Sequence, residues 1–385
     1  MRTFIFIPGY YGTTLVDQDS GHSVWADPKE VLLGRKTLAM PIPGMTVPGA
    51  LNLTPRSLIT DVRLLGGLIK EDAYNKTTEL LRSLGGQVET VAWDWREDPL
   101  HGAEQLHRKV LQIKAARPED ELILVSHSFG SMVAAYYLRY GIQDYSEANE
   151  TWEGLKYFSK VIMSASPYRG LMGMFRNMHK GLRFFLNTKN QSPLAFSTFK
   201  SSYYLLPPPG RDLIKDENFN SLSLDLHDPM RWAENRWGLF HERLGLTSDS
   251  LEARKSYVVK HLARANKFHN LIDAPTKGHP EKPAEILYLS GYGHKTVQQG
   301  IWYRKSQRPN VFLYYPRDFK KWLPSADPGI VFGDGDGTVP DFSAELPTAF
   351  KALGSNIIHS RLDHLAVLQS PQSQNRIHEF LLAKN

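Results

Sequence analysis

Short apolar runs alternate with amphipathic stretches through the first 165 residues, which is the pattern of parallel strands separated by helices. The runs that predict buried strands are Thr3–Ile7, Val88–Trp93, Glu121–Val125 and Lys160–Ala165. The stretches that predict the intervening helices are Leu58–Leu84, His101–Ala116 and Gly130–Tyr140. Because crossover connections between parallel strands are right-handed, this order predicts a mostly parallel central sheet with helices on both faces.

The alternation stops near residue 170, and residues 170 to about 283 indicate helices and loops with almost no strand signal. Strand patterns return at Glu285–Ser290, Val311–Tyr315 and Asn356–Ser360, and a closing helix is predicted at Arg376–Ala383. We therefore predict an α/β core at 1–167 and 285–385, a helical cap and lid insertion at 168–284, and a smaller excursion, associated with the membrane or the lid, at 22–70.

A candidate nucleophile lies between the third predicted strand and its helix, in Ser126-His127-Ser128-Phe129-Gly130. A serine at the apex of a strand-to-helix turn is the nucleophile elbow of serine hydrolases, usually Gly-x-Ser-x-Gly. Ser126 stands at the position of the first glycine, and we expect this small residue to fit with modest strain. Ser126 and Ser131 compete with Ser128, but one should end the strand and the other should lie within the helix.

A carboxylate that could orient a catalytic base occurs in GDGDGTVP, residues 333–340. The spacing Gly333, Asp336, Val339 fits the Gly-x-x-Asp-x-x-Val pattern common in α/β-hydrolases, so Asp336 is the preferred acid. We expect its rival Asp334 to stabilise the turn through an Asx-type hydrogen bond. A calcium loop is disfavoured, because no glutamate follows at the offset that an EF-hand requires.

The candidate base is His364, on the loop between the last predicted strand and the last helix, where this chemistry places it. Its rival His359 falls inside the strand pattern, and we expect it to be a packed core histidine. Two backbone amides should serve as oxyanion donors, those of Phe129 after the nucleophile and of Tyr10 after the first strand.

Composition and charge limit the kinds of partner and cofactor that we expect. The chain of 385 residues carries a net charge of +6, with dispersed basic residues and no nucleic-acid motif, so we expect no nucleic-acid partner. There is no cysteine, which excludes disulfides and thiolate metal sites, and we expect no metal and no cofactor. Without an evident signal peptide or an apolar run of about 18 residues, we expect a location in the cytoplasm or peripheral to a membrane.

One predicted helix in the insertion has an apolar face and a basic face. Its apolar positions are Leu171, Met174, Phe175, Met178, Leu182 and Phe185. This face either contacts lipid, lines an acyl pocket or packs on the main core. The side chains that we predict to contact substrate or to form the lid are Tyr11, Tyr168, Met172, Phe175 and Met178.

The order of motifs resembles the lecithin:cholesterol acyltransferase family of α/β-hydrolases, which includes lysosomal phospholipases and phospholipid:diacylglycerol acyltransferases. The motifs that carry the resemblance are FIPGYYGTTL, AWDWRED, VSHSFGSM, SASPYRG, SYYLLP, YLSGYGHKT, GDGDGTVP and DHLAVL. The resemblance implies a capped hydrolase that acts on lipid acyl esters. It implies a nucleophile, acid, base and two oxyanion donors at Ser128, Asp336, His364, Tyr10 and Phe129.

The chain departs from this family at Ser126 and at Tyr168-Arg169, where a Trp-Gly-type pair is usual. The predicted function is a serine-dependent ester hydrolase of the lipase, phospholipase or esterase type. An alternative is an O-acyltransferase that passes the acyl group to an alcohol. A third, from another class, is a catalytically silent lipid-binding protein on the same fold.

Overall fold

The structure, a computed structural model, describes residues 1–34, 36–64, 69–72, 74–182, 187, 189–305 and 311–383. Six parallel strands form its central sheet: β1 (Arg2–Ile7), β2 (Gln87–Thr90), β3 (Glu121–His127), β4 (Lys160–Ser164), β5 (Glu285–Gly291) and β6 (Asn356–Ser360). Their spatial order is β6-β5-β4-β3-β1-β2. The predicted parallel sheet is thus confirmed.

Helices cover both faces of this sheet. The longer or functionally placed ones are α1 (Asn75–Ser83), α2 (Pro99–Ala116), α3 (Phe129–Tyr140), α4 (Met172–Lys180), α5 (Leu251–Asp273), α6 (Ala366–Gln369) and α7 (Pro371–Leu382). Short helices occupy Pro28–Leu33, Pro193–Thr198, Lys200–Tyr204, Pro229–Glu234, Pro316–Trp322, Asp341–Ala344 and Thr348–Ala352. Single 3₁₀ turns occupy Leu155–Tyr157, Gly238–Phe240, Glu242–Leu244, Ser248–Ser250 and Pro328–Val331.

The side chains of strand β1 show why helices cover both faces of the sheet. Its successive side chains point to opposite faces, so Ile5 and Ile7 pack in the cluster that contains α2 and α3, while Phe4 and Phe6 pack with α1 and α7. All four side chains are fully buried. A strand that is apolar on both faces is typical of a parallel sheet covered by helices.

The remaining strands form small sheets outside the central one. A three-stranded antiparallel sheet follows β1, and a strand pair follows it: Thr13–Asp17, Ser23–Trp25 and Leu53–Leu58, then Asp61–Leu64 with Ile69–Asp72. A four-stranded sheet and a second strand pair lie later in the chain: Ile214–Asp216, Ser221–Leu222, Gly300–Trp302 and Phe312–Leu313, then Thr296–Val297 with Phe332–Gly333.

The prediction of a largely helical segment at Leu58–Leu84 is wrong. Among the described residues of this segment only the last part is helix, because two short strands, Asp61–Leu64 and Ile69–Asp72, pair antiparallel before α1. The glycine pair at 66–67 of the sequence is a hairpin signal that the helical reading passed over.

Two further strand predictions need correction. Val311–Tyr315 does not join the central sheet, since only Phe312–Leu313 is strand and it pairs with Gly300–Trp302. The insertion is also not free of strands, because Ile214–Asp216 pairs in parallel with Gly300–Trp302. A short apolar run shows strand character but not which sheet the strand joins, so the sequence pattern could not place it.

The division into a core and an inserted cap stays a prediction, although the described part of 168–284 contributes no strand to the central sheet. Phe185, one of the predicted apolar positions of the lid helix, lies outside the described residues. No helix in the described part of the chain combines the length and the apolar character needed to cross a bilayer.

Candidate active site

Ser128 stands alone between β3 and α3, at the edge of the sheet where the parallel strands end. Its backbone has φ 55° and ψ −126°, a conformation that non-glycine residues rarely adopt, and its N–H donates to the Ser164 carbonyl at 2.8 Å. The competing serines are elsewhere, since Ser126 lies in β3 and Ser131 lies in α3. Ser128 alone therefore has the strained apex conformation of a nucleophile elbow.

The turn around Ser128 requires glycines because the loop after β1 packs directly against it. A Cβ on Gly130 would lie 2.5 Å from the carbonyl oxygen of Pro8, and a Cβ on Gly9 would lie 2.7 Å from Ser128 Cβ. Both distances are shorter than carbon contacts allow. The two glycines thus let the elbow and the loop after β1 touch, which brings the amide of Tyr10 close to Ser128.

Ser126, the residue in place of the usual first glycine, is accommodated by hydrogen bonds. Its side chain is fully buried, with Oγ 3.0 Å from Oγ of Ser131 and 3.3 Å from the Ile162 carbonyl. Ser131 in turn donates to the Ser164 carbonyl at 3.1 Å. The extra hydroxyl is therefore paired inside the sheet and does not displace the elbow.

The structure brings Ser128, His364 and Asp336 together. Nε2 of His364 lies 3.0 Å from Oγ of Ser128, and Nδ1 of His364 lies 2.7 Å from Oδ2 of Asp336. His364 follows β6, and its backbone N–H donates to the backbone carbonyl of Asp336 at 3.0 Å. The other carboxylate oxygen, Oδ1, accepts the N–H groups of Val339 at 2.7 Å and Thr338 at 2.9 Å.

These contacts determine the charge of Asp336 and the ring nitrogen of His364 that carries the hydrogen. Burial of Asp336, whose exposed fraction is 2%, opposes its ionisation, but His364 and the two backbone N–H groups outweigh burial and hold its pKa below the ordinary value. An ionised carboxylate only accepts hydrogen bonds, so the hydrogen of the neutral His364 ring is on Nδ1. Nε2 then presents its lone pair to the Ser128 hydroxyl, as a general base must.

The rival residues lie apart from this group. Oδ1 of Asp334 accepts the N–H groups of Gly293 at 2.6 Å and Gly335 at 2.8 Å, so this carboxylate braces the loop. The expectation of a packed core position for His359 is wrong, because its side chain is 40% exposed and lies 3.2 Å from Asp341. The reason is that β6 lies at the edge of the sheet and, among the described strands, pairs only with β5.

The backbone N–H groups of Tyr10 and Phe129 are the two predicted oxyanion donors. Within the described part of the chain, neither N–H donates to a protein acceptor. Phe129 is the first residue of α3, so its N–H also lies at the positive end of the helix dipole. The Tyr10 ring packs 4.7 Å from the ring of Trp95, between centroids, which holds the loop after β1 in place.

Four of the five predicted substrate or lid side chains are packed in the protein interior. Phe175 on α4 contacts the rings of Trp237 at 5.0 Å and Phe312 at 5.3 Å. Three methionines of the same helix are also buried, Met172, Met174 and Met178, as is Tyr168, which precedes the helix. The apolar face of α4 thus packs inside a large apolar cluster, against Trp237 of the insertion and Phe312 of the small four-stranded sheet. Tyr11 is half-buried and donates from its hydroxyl to Oε1 of Gln191 at 2.7 Å. Whether any of these side chains contacts substrate stays a prediction.

Two residues around the site were not predicted, His127 and Tyr74. His127 lies beside Ser128 in the elbow, with its ring 4.8 Å from the ring of His364, between centroids. The Tyr74 hydroxyl accepts the N–H of Gly9 at 3.1 Å and lies 3.0 Å from Nδ1 of His127. Tyr74 lies at the start of α1 outside any recognisable motif, so nothing in the sequence marks it. For His127, the available signal was its position next to Ser128.

Comparison with known proteins supports the family resemblance over part of the chain. The sequence profile of the lecithin:cholesterol acyltransferase family matches residues 64–237, which confirms the resemblance over that part of the chain. A comparison with curated proteins found no match.

Comparison with solved structures found similar chains. A chain in the crystal structure of the Tle4–Tli4 complex is similar with a TM-score of 0.55 and 14% identity, over 100% of this chain and 99% of that chain. The mature lipase BlEst2 of Bacillus licheniformis matches with a TM-score of 0.38 and 12% identity, over 99% and 91%. With the six-stranded parallel sheet, the chain has the predicted α/β-hydrolase fold.

Proposed function

We propose, from the similarity of residues 64–237 to the lecithin:cholesterol acyltransferase family, that this chain is a serine-dependent hydrolase of lipid acyl esters. The observation that carries the proposal is the continuous contact from Asp336 through His364 to a serine in the elbow conformation. These residues supply a nucleophile, a base and an orienting carboxylate in one place. In the proposal Ser128, His364 and Asp336 are the catalytic residues.

The first half of the reaction transfers the acyl group to Ser128. His364 Nε2 takes the hydroxyl proton while Oγ forms a bond to the ester carbonyl carbon. The negative oxygen of the tetrahedral intermediate accepts the N–H groups of Tyr10 and Phe129, and Asp336 stabilises the charged imidazolium. The intermediate then breaks its bond to the alcohol oxygen, which leaves with the proton from His364.

The second half releases the acid. His364 takes a proton from water, the resulting oxygen attacks the acyl carbon, and the new intermediate breaks the bond to Oγ of Ser128, which regains a proton from His364. If an alcohol enters instead of water, the same steps make a new ester. Hydrolase and acyltransferase therefore share every residue named here and differ only in the second acceptor.

Lipid substrates are supported by the family and by the apolar surroundings of the site. Phe129, which follows Ser128 in the elbow, is a buried member of a large apolar cluster that also contains Tyr168 and Met172. An acyl chain is the part of an ester that gains free energy from such surroundings. Contact with a membrane surface, which would deliver such substrates, belongs to the same proposal.

Covalent labelling tests the proposed nucleophile. A fluorophosphonate should label the wild-type protein at Ser128 and leave Ser128→Ala unlabelled, whereas Ser373→Ala, which removes a buried hydroxyl on α7, should label like the wild type. Binding of lipid vesicles without labelling or turnover would favour a catalytically silent lipid-binding protein. Labelling that persists in Ser128→Ala would contradict the assignment.

Product analysis tests the substrate and the acceptor. The protein is incubated with a phospholipid or a triglyceride, with and without a long-chain alcohol, and the products are separated. Release of free fatty acid in both incubations is the expected result for a hydrolase. Formation of a new ester when alcohol is present would indicate an acyltransferase, and turnover of short water-soluble esters alone would contradict a lipid substrate.

A further inference from the structure

His127 connects three separate segments around the candidate site through hydrogen bonds. Its Nε2 lies 2.9 Å from the carbonyl oxygen of His364, and its Nδ1 lies 3.0 Å from the Tyr74 hydroxyl. That hydroxyl lies 3.1 Å from the N–H of Gly9, the residue before the proposed oxyanion donor Tyr10. The contacts therefore run without a gap from the loop after β1, through the elbow, to the loop that carries the base.

The direction of each hydrogen bond follows from the groups involved. A carbonyl only accepts, so His127 Nε2 carries the hydrogen that it donates to His364. Burial lowers the pKa of His127 to about 3, with a smaller effect from His364, so the ring is neutral and Nδ1 accepts. Burial raises the pKa of Tyr74 well above its ordinary value, so its phenol keeps the hydrogen that Nδ1 accepts. The Tyr74 oxygen then accepts from Gly9, and every donor has an acceptor.

We propose that His127 and Tyr74 are positioning residues that hold two loops at a fixed distance from Ser128. One is the oxyanion loop, Gly9 to Gly12 after β1, and the other is the base loop, which carries His364 after β6. The proposal rests on the proposed function, since it concerns the geometry of the same reaction. Neither residue touches a reacting atom. They act through the Gly9 amide, which is next to one proposed oxyanion donor, and through the backbone of His364.

The Tyr74 ring supports this role in addition to its hydroxyl. A Cβ on Gly12 would lie 3.1 Å from Cε2 of Tyr74, so the ring lies along the loop from Gly9 to Gly12. The ring also packs on Phe6 of β1, with 5.0 Å between centroids. Removing the hydroxyl alone should therefore leave the packing in place and release only the hydrogen bonds.

The kinetic test compares Tyr74→Phe with Tyr145→Phe on the ester that the wild type hydrolyses. Both tyrosines have 4% exposure and both hydroxyls accept one backbone N–H, from Gly9 in one case and from Leu100, at the start of α2, in the other. Tyr74→Phe should lower kcat about 10- to 100-fold with KM nearly unchanged, because two buried polar groups lose their partner at the site. Tyr145→Phe should keep kcat within about threefold, at a similar melting temperature.

A second variant tests the other end of the connection. His127→Leu removes both ring hydrogen bonds at similar volume and should lower kcat at least as much as Tyr74→Phe. The downfield proton resonance of the hydrogen bond between His364 and Asp336 should weaken or broaden in His127→Leu and stay sharp in Tyr145→Phe. Equal kcat for all three variants, or an unchanged resonance in His127→Leu, would overturn the proposal.

Amide exchange separates this proposal from the proposed function, since it needs no turnover. The Gly9 amide should exchange slowly in the wild-type protein and at least about tenfold faster in Tyr74→Phe, with no change in Tyr145→Phe. A wild-type protein that does not react at Ser128 overturns the proposed function, whatever the exchange rates. A Gly9 amide that exchanges equally fast in the wild type and in Tyr74→Phe overturns the connection itself, even in an active enzyme.

Discussion

Replacing Gly9 by alanine tests directly how closely the oxyanion loop must pack on the nucleophile. The added Cβ would lie 2.7 Å from Ser128 Cβ, 3.1 Å from the His127 carbonyl oxygen and 3.2 Å from Ser128 Oγ. Ordinary carbon contacts begin at 3.4 Å, so the loop and the elbow must separate by at least about 0.7 Å. The amide of Tyr10, the next residue, moves with the loop.

The expected result is a loss of rate with little loss of stability. A misplacement of about 1 Å in an active site costs about 100-fold, and the loss of one oxyanion donor costs about 10²–10³-fold, so kcat should fall about 10- to 100-fold. Overpacking costs about 1–3 kcal/mol. For 385 residues at about 2.1 cal/mol/K each, that is a fall in melting temperature of about 1–4 °C.

The assay is the initial rate of ester hydrolysis at several substrate concentrations, with thermal unfolding followed by circular dichroism. Gly278→Ala is the matched control, because a Cβ there meets no atom within 4 Å, and both its kcat and its melting temperature should match the wild type. A Gly9→Ala protein that keeps kcat within about twofold would refute the reasoning. So would an equal loss of activity in Gly278→Ala.

Three further predictions concern the acid, the pH dependence of stability and the end of the chain. Asp336→Asn should lower kcat about 10⁴-fold, because an amide in that place no longer fixes the tautomer of the base, while Asp334→Asn should lower it less than about tenfold. Lys160→Met should lower the free energy of unfolding by about 2 kcal/mol, because the buried ammonium donates to two carbonyls at the end of α7. Between about pH 6.5 and pH 4, acid should lower the free energy of unfolding by up to about 1.4 kcal/mol per pH unit for each buried neutral histidine, since the unfolded chain, with a histidine pKa near 6.5, binds the proton first. The histidines whose pKa burial lowers to about 3 are His127, His261 and His269.

Each of these predictions has a measurement and an outcome that contradicts it. The two aspartate variants are compared by kcat, and equal losses would contradict the choice between them. Lys160→Met is compared by urea unfolding with Lys156→Met, whose exposed ion pair should contribute little to stability, and a larger effect at the exposed site would contradict the argument. For the histidines, equal urea midpoints at pH 7 and pH 5 would show that these rings are not held neutral.

The strands of the central sheet and the chemistry-bearing residues could be predicted because their signals are local. Glu121–His127 is a run of apolar residues followed by a serine between small neighbours, and that spacing is legible without any tertiary contact. Asp336 was selected by its spacing from Gly333 and Val339, and His364 by its place between the last predicted strand and the last helix. Ser128 and His364 each follow a strand of the central sheet, so their place in the order of elements can be read from the sequence.

The predictions were wrong where pairing with a distant or neighbouring strand decided the structure and the local pattern did not. Leu58–Leu84 contains apolar residues at spacings that fit a helix, and the pairing of Asp61–Leu64 with Ile69–Asp72 overrides them. His359 has the sequence environment of a core residue, yet its strand lies at the edge of the sheet, so its side chain is 40% exposed. The burial of a side chain depends on which elements pack beside its strand, and this cannot be read from the residues of that strand alone.

By itself, the sequence determined the fold class, the family resemblance, and a serine, an aspartate and a histidine as candidates for one site. Only the tertiary structure decided that Nε2 of His364 lies 3.0 Å from Ser128, that Ser126 fits the elbow through hydrogen bonds, and that Tyr74 joins the oxyanion loop to His127. The physical reason is range: strand and turn preferences act over a few neighbouring residues. Hydrogen bonds between residues 53 to 236 positions apart form only when the whole sheet has brought its loops to one edge.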